Sequence, residues 1–206
     1  MLLRTILLLF ASFAAADDTK WIKMVHDGKL SDRWETKGNW KIGDDGVATL
    51  EPRPSDQGWR RYDDYIWSKD KFADFEIEFE YQVQKLGNSG FYFHVGDKDN
   101  PVKQGIEVQI FDSFGKPADA KLTDHDSGGV IPGIPPTKNT ARPPGKWNRM
   151  RIRVEKQRLN VELNGKVVNK VDLGHPNIKD RPTSGLIGFQ DHGLPLKLRN
   201  VRVRAL

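Results

Sequence analysis

The sequence of 206 residues contains no cysteine. Such a chain forms no disulfide, holds no thiolate-ligated metal and offers no cysteine for a lipid anchor. It also lacks an apolar run of the roughly 20 residues that a membrane-spanning helix needs, and it lacks arginine-rich tracts and nucleic-acid-binding motifs. The formal charge of +5 belongs to a composition that is 30% charged in both signs, which is typical of a solvated surface. We therefore expect no membrane span and no nucleic-acid partner.

The most apolar stretch lies at the N-terminus, in MLLRTILLLFASFAAADD. One basic residue, an apolar run from Ile6 to Phe13 and small residues before two aspartates are typical of a secretory signal. The remaining length suits one well-packed domain. We predict a signal peptide over residues 1–16, a single domain over residues 17–206, and a periplasmic or secreted location.

Convincing amphipathic helical patterns are lacking, and apolar residues instead recur at every second position. The segments FEIEFEYQV (75–83), NSGFYFHV (88–95) and NRMRIRVE (148–155) alternate in this way. This alternation predicts strands with one buried and one solvated face, and the glutamates of the first segment are expected on the solvated face. Many short antiparallel strands separated by turn signals predict an all-β fold, a jelly-roll sandwich of two antiparallel sheets.

Three local signals refine this prediction. Asn164-Gly165 stands between two alternating arms and favours a type I′ hairpin turn, because these residues tolerate positive φ angles. The apolar parity changes near Arg199-Asn200, which predicts a β-bulge. Residues 114–145 are rich in proline and glycine, and a connection this long is typically functional. We expect it to border the site.

The segment GIEVQIFD (105–112) directs polar side chains to one face of a predicted strand. If its aliphatic residues face the core, Glu107 and Gln109 project together from the opposite face, about 7 Å apart. The same parity predicts that Tyr92 and His94 point outward from their own strand. Asp112 shares this direction only if the strand ends or bulges there.

Other candidates for the site lie outside this strand. Trp59 is a candidate platform for stacking a sugar ring. In the segment TDHDSGG (123–129), Asp124, His125 and Asp126 allow either a hard-cation site or a polar turn.

Several motifs occur together in the order of a known family: NSG, Glu-x-Gln-Ile, Gly-x-Trp-Asn and Gln-Asp-His-Gly. The chain resembles the 3-keto-disaccharide hydrolase family from about Trp21 to Leu206. The resemblance implies a concanavalin-like jelly roll that cleaves glycosides oxidised at carbon 3. The residues that match the motifs are Asn88, Ser89, Gly90, Glu107, Gln109, Trp147, Asn148, Gln190, Asp191 and His192. The family usually has an arginine shortly after NSG, whereas this sequence has His94, which supplies no permanent bidentate charge.

A ketone at carbon 3 acidifies the proton on carbon 2 and makes the glycosidic oxygen a β leaving group, so cleavage needs a base and an enolate stabiliser. We predict that Glu107 or His94 is the base and that His192 or a divalent cation steadies the enolate. The residues predicted to bind substrate are Asn88, Tyr92, Gln109, Asp112, Gln190 and Trp59. The predicted partner is a carbohydrate or glycoside, and the sequence leaves the oligomeric state open.

Three alternative functions fit parts of this pattern. A carbohydrate-binding module would retain glycans without cleaving them. A laminarinase-like hydrolase, whose motif Glu-x-Asp-x-x-Glu resembles Glu107, Gln109 and Asp112 in outline, would need Asp112 beside Glu107, because retaining hydrolysis uses two carboxylates about 5 Å apart. A structural surface protein would have an apolar rather than a polar-aromatic concave face.

Overall fold

The computed structural model describes residues 21–56, 58–117 and 119–206. The predicted signal peptide lies outside these residues. Among them, no helix is long and apolar enough to cross a membrane. The helical structure within the described ranges comprises a 3-10 turn at Tyr62–Asp64 and the short helix α1 at Pro101–Gln104. The strands, in chain order, are β1 (Ile22–Lys23), β2 (Val25–His26), β3 (Lys29–Leu30), β4 (Trp34–Glu35), β5 (Trp40–Ile42), β6 (Ala48–Leu50), β7 (Ile66–Ser68), β8 (Phe75–Val83), β9 (Asn88–Val95), β10 (Ile106–Phe111), β11 (Val130–Ile131), β12 (Asn148–Glu155), β13 (Arg158–Leu163), β14 (Lys166–Asp172), β15 (Leu186–Phe189) and β16 (Leu196–Ala205).

Two antiparallel sheets contain all the strands except β2 and β3, which pair with each other as a separate ribbon. The larger sheet has the order β14-β13-β12-β8-β16-β6-β5, with β1 also paired to β16, and the smaller has the order β11-β10-β9-β15-β7-β4. Apolar side chains of β8 and β12 pack against those of β9, β10 and β15 in one core. This arrangement confirms the predicted all-β jelly-roll sandwich. It leaves the outer face of the smaller sheet, at β9, β10 and β15, free to carry a site.

The local turn predictions are also confirmed. Asn164 and Gly165 connect β13 to β14 with φ angles of 53° and 76°, as a type I′ turn requires. The pairing of β16 with β8 shifts register between Arg199 and Arg202, and Asn200 has a φ of 53°. The chain therefore bulges where the apolar parity changes.

The outer face of the larger sheet differs from the prediction at one glutamate. Glu76 is fully buried, because Arg151, Arg153 and Arg204 from the two flanking strands cover its carboxylate. Burial alone would raise the pKa of Glu76, but hydrogen bonds from Arg204 and Arg151 outweigh it and lower the pKa. This face therefore carries a network of ion pairs rather than a row of solvated carboxylates.

Candidate active site

A pocket of about 200 Å³ opens on the outer face of the smaller sheet. It contains seven of the nine predicted site residues and lacks His94 and Asp112. The described residues that line it are Trp59, Asn88, Tyr92, Val102, Glu107, Gln109, His125, Ile131, Gln190 and His192. The volume lies below the roughly 300–1,000 Å³ typical of ligand pockets, so it suits a small group such as one sugar ring.

Glu107 lies at the base of the pocket. It stands directly opposite Tyr92 in the pairing of β10 with β9, and its side chain leans over Gly90 so closely that a Cβ added there would overlap its carboxylate. The residue is only 7% exposed. Burial raises the pKa of Glu107 to about 7, although a hydrogen bond from the Tyr92 hydroxyl opposes the rise; the charge of Asp124 adds to it. Glu107 can therefore exchange a proton near neutral pH.

A chain of hydrogen bonds crosses the pocket beside Glu107. The Gln109 amide nitrogen donates to Asn88 Oδ1 at 3.2 Å, and Asn88 Nδ2 lies 3.2 Å from His192 Nε2. Because the Asn88 oxygen is already an acceptor, its amide nitrogen donates to His192. Burial lowers the pKa of His192, which favours the neutral imidazole that this bond requires.

Two buried amide oxygens in the pocket lack a partner. Gln109 and Gln190 are 3% and 4% exposed, and the Oε1 atom of each makes no hydrogen bond. Gln190 is held in place because its backbone nitrogen donates to Gly90 O at 2.9 Å and its carbonyl accepts from the Ser89 hydroxyl at 2.8 Å. Buried acceptors without partners are costly, and both side chains line the pocket.

A buried ion pair stabilises the segment that carries Trp59. Arg61 Nη2 lies 2.7 Å from Asp191 Oδ1, and the Arg61 guanidinium also contacts Asp64 at 2.9 Å. Asp191 is fully buried next to His192. The Tyr65 hydroxyl donates to the Trp59 carbonyl at 2.8 Å. The ion pair between Arg61 and Asp191 was not predicted from the sequence, because the two residues are 130 positions apart.

The structure places His94 away from the pocket, contrary to the parity prediction. The pairing of β9 with β15 shifts register, and His94 itself has a φ of 53°. This bulge turns its ring towards Phe75 and Phe93 in the core, where Nε2 lies 2.7 Å from the Ala73 carbonyl oxygen. His94 is 1% exposed and cannot reach a ligand in the pocket.

Asp112 is also outside the pocket. Strand β10 ends at Phe111, and Asp112 turns towards the β8–β9 connection. Its Oδ2 accepts from Leu86 N at 3.0 Å, and its backbone nitrogen donates to Gly87 O at 2.9 Å. The side chain therefore holds a turn and does not stand beside Glu107.

The long connection borders the pocket as expected, through His125 and Ile131. The pattern TDHDSGG left His125 open between a turn and a cation site, and the pairing of β11 with β10 brings it to the pocket. Among the described residues, no three His, Cys, Asp or Glu side chains converge as a metal site would require. The divalent cation stays a prediction from the sequence.

Comparison with known proteins identifies the family. Residues 20–204 match the family model described as the 3-keto-alpha-glucoside-1,2-lyase-like domain. The chain belongs to this family. It is 29% identical over 231 aligned positions, covering 88% of this chain and 77% of the relative, to a 3-keto-disaccharide hydrolase of Bacteroides thetaiotaomicron.

Solved structures support the same relationship. A crystal structure of a candidate glycosyl hydrolase from Parabacteroides distasonis has a TM-score of 0.75 at 26% identity, covering 91% of this chain and all of that one. The Bacillus licheniformis β-glucanase, at 12% identity with coverage of 94% and 95%, has a TM-score of 0.51. The second match shows the jelly-roll fold alone.

Proposed function

We propose that this family member cleaves the glycosidic bond of 3-keto-glycosides by elimination followed by hydration. The observation that carries the proposal is the buried Glu107 carboxylate, with a pKa of about 7, in a pocket whose described lining holds no second carboxylate. The names of the family and of the Bacteroides relative support the substrate class. The predicted signal peptide supports action in the periplasm or outside the cell.

The elimination removes a proton from carbon 2 and breaks the bond between carbon 1 and the glycosidic oxygen. The carbon-2 electron pair first forms an enolate with the carbon-3 ketone, and the enolate then expels the leaving oxygen to give an enone. Water adds at carbon 1 and a proton returns to carbon 2, so the net reaction is hydrolysis. This route needs one base rather than the two carboxylates of retaining glycosidases.

Glu107 is the proposed base. A base whose pKa lies near the working pH is deprotonated often enough to act and still accepts a proton readily. Tyr92 holds the carboxylate by a hydrogen bond, and Gly90 provides the space into which it leans.

The enolate oxygen is proposed to bind beside Asn88. One hydrogen of the Asn88 amide is directed to His192, which leaves the other for a ligand. His192 therefore contributes to the enolate site by fixing the orientation of Asn88. Gln109 and Gln190 accept hydrogen bonds from the sugar hydroxyls, and Trp59 contacts the ring.

A laminarinase-like mechanism receives no support from this geometry. It needs a second carboxylate about 5 Å from Glu107, and the Asp112 carboxylate instead accepts from Leu86 N. A purely structural protein would not account for the buried, partnerless amide oxygens in an open pocket.

The test compares the purified protein with Glu107→Gln on a 3-keto-glucoside and on the unoxidised glucoside. Loss of the base is expected to reduce turnover of the 3-keto substrate by about 10²-fold or more, and neither protein should cleave the unoxidised sugar. Glu35→Gln is the matched control, because Glu35 lies on the same sheet, is exposed and does not line the pocket. Glycan retention without cleavage by the unmodified protein would instead identify a binding module.

A further inference from the structure

His125 stands at the mouth of the pocket and forms a dyad with Asp124. Its Nδ1 lies 3.1 Å from Asp124 Oδ1. The His125 side chain is 70% exposed, whereas that of Asp124 is 21% exposed. The other ring nitrogen, Nε2, is left available to a ligand. A carboxylate that accepts from Nδ1–H fixes the tautomer, so that Nε2 is the nitrogen that gains and loses a proton.

The backbone that carries this dyad is firmly attached to the sheet. Gln109 N donates to Gly129 O and Gly128 N donates to Gln109 O, both at 2.9 Å. Asp124 Oδ2 accepts from Gly133 N at 2.6 Å, so its carboxylate is held on both sides. His125 therefore has a defined position at the pocket even though its ring is exposed.

The pocket is large enough for only one part of a bound glycoside. A cavity of about 200 Å³ with Glu107 at its base accommodates the oxidised ring. The leaving group must then extend to the mouth, where His125 lies. The elimination in the proposed function generates an alkoxide at this point, and Glu107, the base in that step, cannot donate a proton at the same time.

We propose that His125 is the catalytic acid that protonates the departing glycosidic oxygen, and that Asp124 is its positioning residue. This inference rests on the proposed function. As the bond between carbon 1 and oxygen breaks, its electron pair stays on the oxygen, which takes the proton from Nε2 of the protonated imidazole. The imidazole becomes neutral while Nδ1–H remains bonded to Asp124. In the hydration step His125 takes a proton from the attacking water, and Glu107 returns its proton to carbon 2, so both groups regain their starting states.

The chain contains a matched control for this dyad. His26 Nδ1 lies 3.0 Å from Asp27 Oδ2, and both side chains are exposed. This pair lies on the ribbon formed by β2 and β3, and neither residue lines the pocket at β9 and β10. His26→Gln therefore removes an exposed histidine with the same type of partner.

The experiment varies the leaving group. Two 3-keto-glucosides are compared, one with a sugar alcohol oxygen as leaving group and one with 4-nitrophenolate, which departs without protonation. His125→Gln should lower kcat/KM for the first substrate by about 10²-fold and leave the second nearly unchanged. Asp124→Asn should give a smaller loss with the same selectivity, because asparagine can still accept from Gly133 N but presents an NH₂ group towards His125. His26→Gln should match the unmodified protein on both substrates.

The outcomes separate the two proposals. If His125→Gln slows both substrates equally, or slows neither, His125 is not the leaving-group acid. If the unmodified protein cleaves neither 3-keto substrate, the proposed function itself is wrong. Circular dichroism and the urea midpoint of each variant establish that any loss is not a loss of folding.

Discussion

Replacing Glu107 by glutamine should make the protein more stable at alkaline pH while slowing the proposed reaction by about 10²-fold or more. In the folded protein burial raises the pKa of Glu107 from an ordinary value of 4.5 to about 7. As pH rises, the unfolded chain therefore releases this proton first. The stability that the protonated carboxyl contributes is complete below about pH 4.5 and is lost as pH rises through about 7.

The size of the effect follows from the two pKa values. Each pKa unit corresponds to about 1.36 kcal/mol, so the total is about 3 kcal/mol. Most of it, about 2.5 kcal/mol, falls between about pH 5 and about pH 8.5. Glutamine does not titrate, so Glu107→Gln avoids this loss.

The assay is urea unfolding of the unmodified protein and Glu107→Gln at about pH 5 and about pH 8.5. The difference in unfolding free energy between the two proteins should move by about 2.5 kcal/mol in favour of the variant between these pH values. Glu35→Gln, at an exposed position, should show no such movement. A difference for Glu107→Gln that stays constant with pH would refute the claim that burial holds a proton on this carboxyl near neutral pH.

Three further predictions follow from the same pocket. Gly90→Ala should cost about 1–3 kcal/mol in unfolding free energy and reduce turnover sharply, because the added Cβ displaces Glu107. Gly174→Ala is the control, since an added Cβ there would meet only one carboxylate oxygen. Equal activity of the two variants would contradict the close contact between Gly90 and Glu107. Arg61→Ala should destabilise the fold by about 3 kcal/mol in urea unfolding, because it leaves the Asp191 carboxylate buried without its cation. For the 4-nitrophenyl 3-keto-glucoside, whose leaving group needs no acid, kcat/KM of the unmodified protein should rise with pH around about 7 as Glu107 loses its proton, and a midpoint near 4.5 would exclude Glu107 as the limiting base.

The sequence was most informative where side-chain spacing alone decides structure. Period-two alternation predicted the long strands, and the Asn164-Gly165 dipeptide predicted the turn between β13 and β14, because its backbone angles depend on local chemistry. The same alternation placed Glu107 and Gln109 on one face, where the pocket is found. Strand parity is thus sufficient for regular segments.

Parity failed where the backbone departs from regular pairing. His94 follows Tyr92 by two residues, but the bulge in β9 turns its ring into the core. Asp112 follows the last residue of β10, so its direction depends on a turn. Phe91, Phe93 and Val95 keep the same parity across His94, so the sequence carries no sign of this bulge, unlike the parity change that marks the one near Asn200.

Contacts between distant segments were also beyond the sequence. Arg61 and Asp191 meet only because the segment before β7 packs beside the end of β15. His125 joins the pocket only because the connection before β11 folds back along β10. Composition predicted that the long connection borders the site, but which of its residues reaches the pocket, like the meeting of Arg61 and Asp191, depends on tertiary pairing.

The most direct test of the elimination is the rate of cleavage of a 3-keto-glucoside that carries deuterium at carbon 2. Elimination breaks the bond from carbon 2 to hydrogen, so we expect a primary isotope effect on kcat/KM together with an enone intermediate that can be trapped before hydration. Direct displacement at carbon 1 leaves that bond intact. Equal rates for the deuterated and undeuterated substrates, with no enone formed, would contradict the proposed role of Glu107 and the elimination itself.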